Sequence, residues 1–424
     1  MVTNKMNSKN QIFIIALITI LFLIISDVNP SIIVYRVLAG IAVLYCVKKG
    51  LEESVIVNPY YLFAITPLSL LLYNESFAPT YLDELSASTW FLALYNIVGF
   101  LIGYSFISLK NRRTVRDISS DDVRTMRMHI IICGVLSITP MVCRLLHIPL
   151  PLRSFLGFFS YIGLALAFES KNKVNIIISL IFVLLGYLED FNKSRFLTLV
   201  IVVAIFYEAY YMQTKKDRTK LVSFILLGVI FMLLVAFPLK SFIRDGGSYM
   251  EFADNFAEIS SNSFEYYDDK FEFDGPDFLK MPYMYFISSW NNVQYVMETQ
   301  DDRTYGLWTL KPFLTYIGLN KEFESAYMLI PSGTFNTFTY ISILFKDFGY
   351  WGSIVGSLLL GIYVKYTRMR YSMSRSAFDV ATYALTCVAT FQMYFSNHFF
   401  GLSYPFTILI IGWFYKKMFN LNKY

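Results

Sequence analysis

The chain has 424 residues, of which 56% are hydrophobic, 18% aromatic and only 16% charged, with a formal net charge of +5. A water-exposed domain of this size carries about 25% charged residues, so the composition excludes an ordinary soluble enzyme. Neither a metal nor a cofactor is called for, and no nucleic-acid partner is expected.

Apolar runs recur from end to end, and the predicted fold class is an all-α polytopic membrane protein with about twelve transmembrane helices. In chain order the runs cover roughly 11–26, 31–47, 56–73, 89–109, 129–146, 153–168, 174–188, 196–212, 221–238, 348–365, 377–396 and 403–418. The first follows Lys5 and Lys9 as a signal peptide would, but no small-x-small cleavage site comes after it. It reads as an uncleaved first span. The four cysteines all fall within apolar segments and read as small core residues.

Sidedness rests on Lys110–Arg127, which carries six basic residues and is expected in the cytoplasm. With twelve spans, Lys48–Lys49, "KKDRTK" at 215–220 and "KYTRMRYSMSR" at 365–375 fall on that same side, as do both termini. Three parts follow: helices one to nine in 1–238, a large external (periplasmic) loop in 239–347, and helices ten to twelve in 348–424. Within the loop, "YMYFISSWNNVQYVMET" has helical apolar spacing suited to a membrane surface.

The candidate chemistry gathers on the outer side. In "LEDFNKSRFLTL", Asp190, Lys193 and Arg195 crowd a short turn at the start of a helix, where free amides and a guanidinium favour an anion. The competing reading is an arginine at the lipid interface paired with Glu189 or Asp190. Arg144 and His147 lie at the outer end of the fifth run, where an ionisable group faces a cavity or a partner. Arg244 and Arg303 are further anion clamps, or partners of Asp245 and of Asp301 and Asp302. His398 has a pKa range suited to proton transfer. The acidic stretch near Asp268 lacks calcium-loop spacing.

The stretch "NTFTYISILFKDFGYWGS" begins at Asn336 and returns the chain to the membrane. Its Asp347-Phe348-Gly349 has none of the upstream motifs of a kinase. Asn336, Thr337 and Thr339 offer hydrogen bonds to a sugar, and Tyr340 and Trp290 offer rings to stack on one.

"FNTFTYISILFKDFGYWGSIVGSLLLG" and the Ser194-Arg195 turn resemble motifs of the Wzy-type O-antigen polymerases, the oligosaccharide repeat-unit polymerases. The resemblance implies a lipid-donor glycosyltransferase of GT-C-like architecture in the bacterial inner membrane. It would polymerise undecaprenyl-diphosphate-linked oligosaccharide repeat units into O-antigen for lipopolysaccharide. Arg195, Asp347 and His398 would be catalytic, with Arg144, Asp190, Lys193, Arg244, Arg303, Asn336 and Tyr340 on the substrate. Membrane lipid and a separate chain-length regulator would be partners. The alternatives are a lipid-linked oligosaccharide flippase or transporter, and an O-antigen ligase.

Overall fold

The structure is a computed structural model. It describes residues 8–25, 32–53, 55–73, 85–106, 120–148, 156–188, 193–212, 214–231, 277–299, 302–310, 339–374, 376–394 and 412–413. The described residues hold helices and no strand. In chain order these are α1 (Ser8–Ile25), α2 (Ile33–Glu52), α3 (Pro59–Phe63), α4 (Ile65–Leu71), α5 (Ala87–Ser105) and α6 (Ser120–Leu145). After them come α7 (Phe159–Glu169), α8 (Lys173–Leu188), α9 (Lys193–Tyr210), α10 (Lys215–Phe231), α11 (Asp277–Thr299), α12 (Tyr340–Ser374) and α13 (Ala377–Gln392).

Several starts are written locally. Asn58 accepts from the Tyr61 N–H with Pro59 at the first helical position, and Ser86 accepts from the Thr89 N–H. Ahead of α10, the Thr214 hydroxyl accepts from the Asp217 N–H while the Asp217 carboxylate accepts from the Thr214 N–H. Each side chain thereby satisfies an amide that the first turn leaves open.

The centre of the fold is the contact between α5 and α12. Gly99 and Gly103, in "GFLIG", let the two backbones meet. A Cβ on Gly103 would lie 2.0 Å from the Leu358 carbonyl oxygen, and one on Gly361 would lie 2.2 Å from that of Phe100. Small residues four apart allow this approach between helices. One polar bridge fixes the register: Asn96 Nδ2 donates to Ser353 Oγ at 3.1 Å, and Ser357 Oγ donates to Asn96 Oδ1. Packed around this pair, α13 touches α12, α9, α7 and α3, while α11 covers the ends of α4, α5 and α12.

Three helices among the described residues are long and apolar enough to cross a membrane: Ala87–Ser105, Val123–Leu145 and Tyr340–Ser374. This corrects the expected bundle of twelve. Helices lie over most of the predicted runs, but an apolar run does not say whether its side chains meet lipid or protein. α7 has 11 residues, or about 16 Å at 1.5 Å per residue. Every side chain from Ser160 to Phe168 is buried, so α7 is a core helix rather than a span. The 56–73 run is broken at Ala64 into α3 and α4. The assignment to a multi-pass inner-membrane topology with both ends cytoplasmic falls as well, because it required twelve crossings. In α11, Ile287, Trp290, Val293 and Val296 are buried in the protein core rather than laid along a membrane surface.

The membrane-length helices turn apolar faces outward. On α5 these are Phe91, Tyr95, Val98 and Ile102, each at least 42% exposed. On α12 they are Trp351, Val355 and Leu359. The spacing is that of one helix face.

Replacing Gly103 with Ala drives a methyl into the Leu358 carbonyl, so the helices separate. The expected loss is about 1–3 kcal/mol, read as a lower thermal midpoint. Gly186→Ala is the control, since a Cβ there meets nothing within 4 Å.

Candidate functional site

Polar side chains collect at both ends of the α5–α12 pair. At the first end, the chain leaves α2 at Glu53 and turns into α3. Asn58 shapes that turn, its Nδ2 donating to the Gly50 and Val55 carbonyls at 3.3 and 3.2 Å. The turn delivers Glu53 to the last turns of α5 and α12. Arg368 Nε donates to Glu53 Oε2 at 3.1 Å, and the Tyr104 hydroxyl donates to Oε1 at 3.1 Å. Arg368 is buried and Glu53 nearly so, with side chains 4% and 10% exposed. The guanidinium lies over the rings of Tyr371 and Tyr383, 5.3 and 5.6 Å from their centres. One turn earlier, Lys365 is buried with its ammonium 4.6 Å above the Tyr104 ring.

The same turn receives a second carboxylate. Glu208, near the end of α9, accepts from the Ile56 N–H at 2.7 Å and the Val57 N–H at 3.2 Å. Burial pushes its pKa up to about 7, against the pull of the two amides. On the outer surface, the Tyr45 and Tyr60 hydroxyls meet Ser105 Oγ at 3.2 and 3.3 Å. These hydroxyls close one end of an apolar groove between α2 and α5.

At the opposite end, Asp347 is wholly buried and organises the segment before it. Its Oδ1 accepts from the Thr304 hydroxyl at 2.5 Å and the Trp308 N–H at 3.0 Å. Its Oδ2 accepts from the Thr309 N–H and hydroxyl, both at 2.6 Å. The carboxylate thus caps the short helical turn at 307–310. Two residues on, Gly349 adopts φ 69° and breaks the helical run of α12, a conformation that L side chains rarely take.

The residues singled out in the sequence scatter. Arg195 and Lys193 lie in the first turn of α9. Arg144 is exposed in the last turn of α6, and His147 beyond it is exposed with φ 54°. Arg303 is half-buried, donates to the Phe345 carbonyl at 3.3 Å and stacks on the Phe345 ring. Tyr340 is wholly buried, its N–H donating to the Met393 carbonyl. Trp290 is wholly buried and donates to Ser69 Oγ at 3.2 Å. Asp190, Arg244, Asn336, Thr337 and His398 lie outside the described residues. The structure brings together Arg303 and Asp347, whose segments pack on each other.

Comparison with known proteins finds no matching family model, no matching curated protein and no matching solved structure. The resemblance to the repeat-unit polymerases does not hold. That family is a polytopic bundle, whereas this chain has three helices of membrane-crossing length and apolarity among its described residues. Polymerisation of lipid-linked repeat units loses its support on the same ground.

Sequence reasoning missed Glu53, Lys365 and Arg368 as a cluster. The available signal was spacing. Lys365 and Arg368 are three apart and share a helix face, so they stack if α12 continues past its apolar stretch.

Two outcomes follow. Arg368→Met leaves the nearly buried Glu53 without its ion-pair partner, which costs about 3–5 kcal/mol and lowers the melting midpoint. For Glu208, the raised folded pKa means that the neutral form is favoured by folding. Its stabilising contribution is complete below about pH 4.5 and is lost as pH rises through about 7. Thermal melts across that window show a decline that Glu208→Gln flattens.

Proposed function

We propose that this chain is a membrane-resident helical protein that holds a lipid hydrocarbon chain in the groove between α2 and α5. The groove carries the reading. It has a volume of about 690 Å³ and is walled by Leu38, Ile41, Phe91, Val98 and Ile102, with Tyr45 and Ser105 at its polar end. That size is ample for one long chain.

Its setting selects a lipid over another apolar ligand. The groove opens on the exposed face of α5, a helix long and apolar enough to cross a membrane. Water-exposed proteins rarely leave so continuous an apolar surface bare. In a bilayer, lipid tails already bathe that face, and the Tyr45–Ser105–Tyr60 hydroxyls offer hydrogen bonds where a tail meets its head group.

A phospholipid and a polyprenyl phosphate both supply such a chain. Native mass spectrometry of the purified protein, after exposure to each lipid separately, distinguishes them. Val98→Trp and Ile41→Trp fill the groove from exposed positions and are expected to lower lipid retention about tenfold, about 1.4 kcal/mol of binding. Val355→Trp, on the exposed face of α12, leaves retention unchanged. Equal retention by Val98→Trp and the wild type contradicts the reading.

A further inference from the structure

We infer that Lys365 and Arg368 form a binding site for a phosphoryl anion, the head group of the lipid whose chain lies in the α2–α5 groove or a free phosphate of the same chemistry. The head-group form of this inference rests on the groove reading; the anion site itself stands on separate observations.

The first observation is an imbalance of buried charge. Around the Glu53 turn, Lys49 pairs with Glu52 at 2.7 Å and Arg370 pairs with Asp379 at 2.9 Å. Glu208 is engaged by the Ile56 and Val57 amides. Glu53 is left to balance two cations, and it ion-pairs with Arg368. Lys365 is only 7% exposed. Among the described residues no acceptor hydrogen-bonds its ammonium, which lies over the Tyr104 ring and within the field of the Glu53 carboxylate. A buried cation that shares its one counter-charge with a second cation is costly, and the neighbouring guanidinium repels it further.

The second observation is unused donors on one helix face. Arg368 spends Nε on Glu53 and one Nη1 hydrogen on Ser372 Oγ. Its Nη2 hydrogens bond to no described residue. The Lys365 ammonium brings three more donors. Residues three apart on a helix are neighbours on its surface, so an anion seated between the two side chains can draw on both sets of donors. An anion there meets a fixed planar fork and a compact point charge, a combination matched to a phosphoryl group with several acceptor oxygens. The Tyr371 and Tyr383 rings, stacked 4.5 Å apart, hold the guanidinium in place from behind.

The third observation is position. Tyr104, under the Lys365 ammonium, is followed by Ser105, which lines the polar end of the groove. Tyr60 packs edge-on against Tyr104 at 4.7 Å and also reaches Ser105. The charged cluster and the groove therefore share one wall.

The test is thermal melting of the full chain in phosphatidylcholine nanodiscs, with and without phosphatidylglycerol, and separately with inorganic phosphate. The wild-type midpoint is expected to rise by several degrees with an anionic ligand. Lys365→Met abolishes the rise, and Lys365→Arg restores it. In phosphatidylcholine alone Lys365→Met melts no lower than wild type, because it removes an unbalanced buried charge. A rise with phosphatidylglycerol only assigns the lipid head group, and a rise with inorganic phosphate assigns a free anion; both support the site. The inference is overturned if wild type shows no rise with either probe, or if Lys365→Met rises as the wild type does. Failure of the groove reading appears elsewhere, as lipid retention by Val98→Trp.

Discussion

The close backbone contact between α5 and α12 is the constraint on which the rest of the structure depends. Gly99, Gly103 and Gly361 remove the side chains that would hold the helices apart. At the glycines the pair is held by close van der Waals contact, and the Asn96 bridge to Ser353 and Ser357 adds a polar tie. The contact also sets a length. From Ser86 to Ser105, and from Gly349 to Arg368, each helix covers 19 steps, or about 28 Å at 1.5 Å per residue. That is close to the hydrocarbon thickness of a bilayer. The two polar ends of the pair are therefore spaced as the two surfaces of a membrane are.

Those ends do different things. At one, Asp347 uses both carboxylate oxygens to hold the 304–310 segment, and Gly349 redirects the backbone. This end is saturated and serves the fold. At the other, Glu53 binds Arg368 and Tyr104 while Lys365 keeps its donors open. Together with the adjoining groove, this second end has the chemistry of a ligand site: an apolar slot, a hydroxyl cluster and unspent positive charge.

The helical character was legible in the sequence, since apolar runs fall on helices throughout the described residues. The number of crossings was not, because hydropathy does not distinguish lipid from protein as the neighbour of an apolar side chain. α7 is the clearest case, apolar because it is buried among other helices. The glycine contact was legible in "GFLIG" but needed its partner on α12, more than 250 residues away. Lys365 and Arg368 were read as part of a basic loop because the apolar run stops near 365. α12 in fact continues to Ser374 and carries both charges into the interior. Asp347 was given a catalytic role on the strength of the resemblance, and its four donors, from Thr304, Trp308 and Thr309, reveal a capping role that the sequence did not show.

The central claim is that α5 lies in a bilayer with one face to lipid and the other to α12. Single spin labels at successive positions from Phe91 to Ile102, in the reconstituted full chain, test it most directly. The account predicts high oxygen access and low access to a water-soluble nickel chelate at 91, 95, 98 and 102. Access to both reagents should be low at 92, 93 and 97. High nickel access at 91, 95, 98 and 102, or oxygen access without helical periodicity, would contradict it.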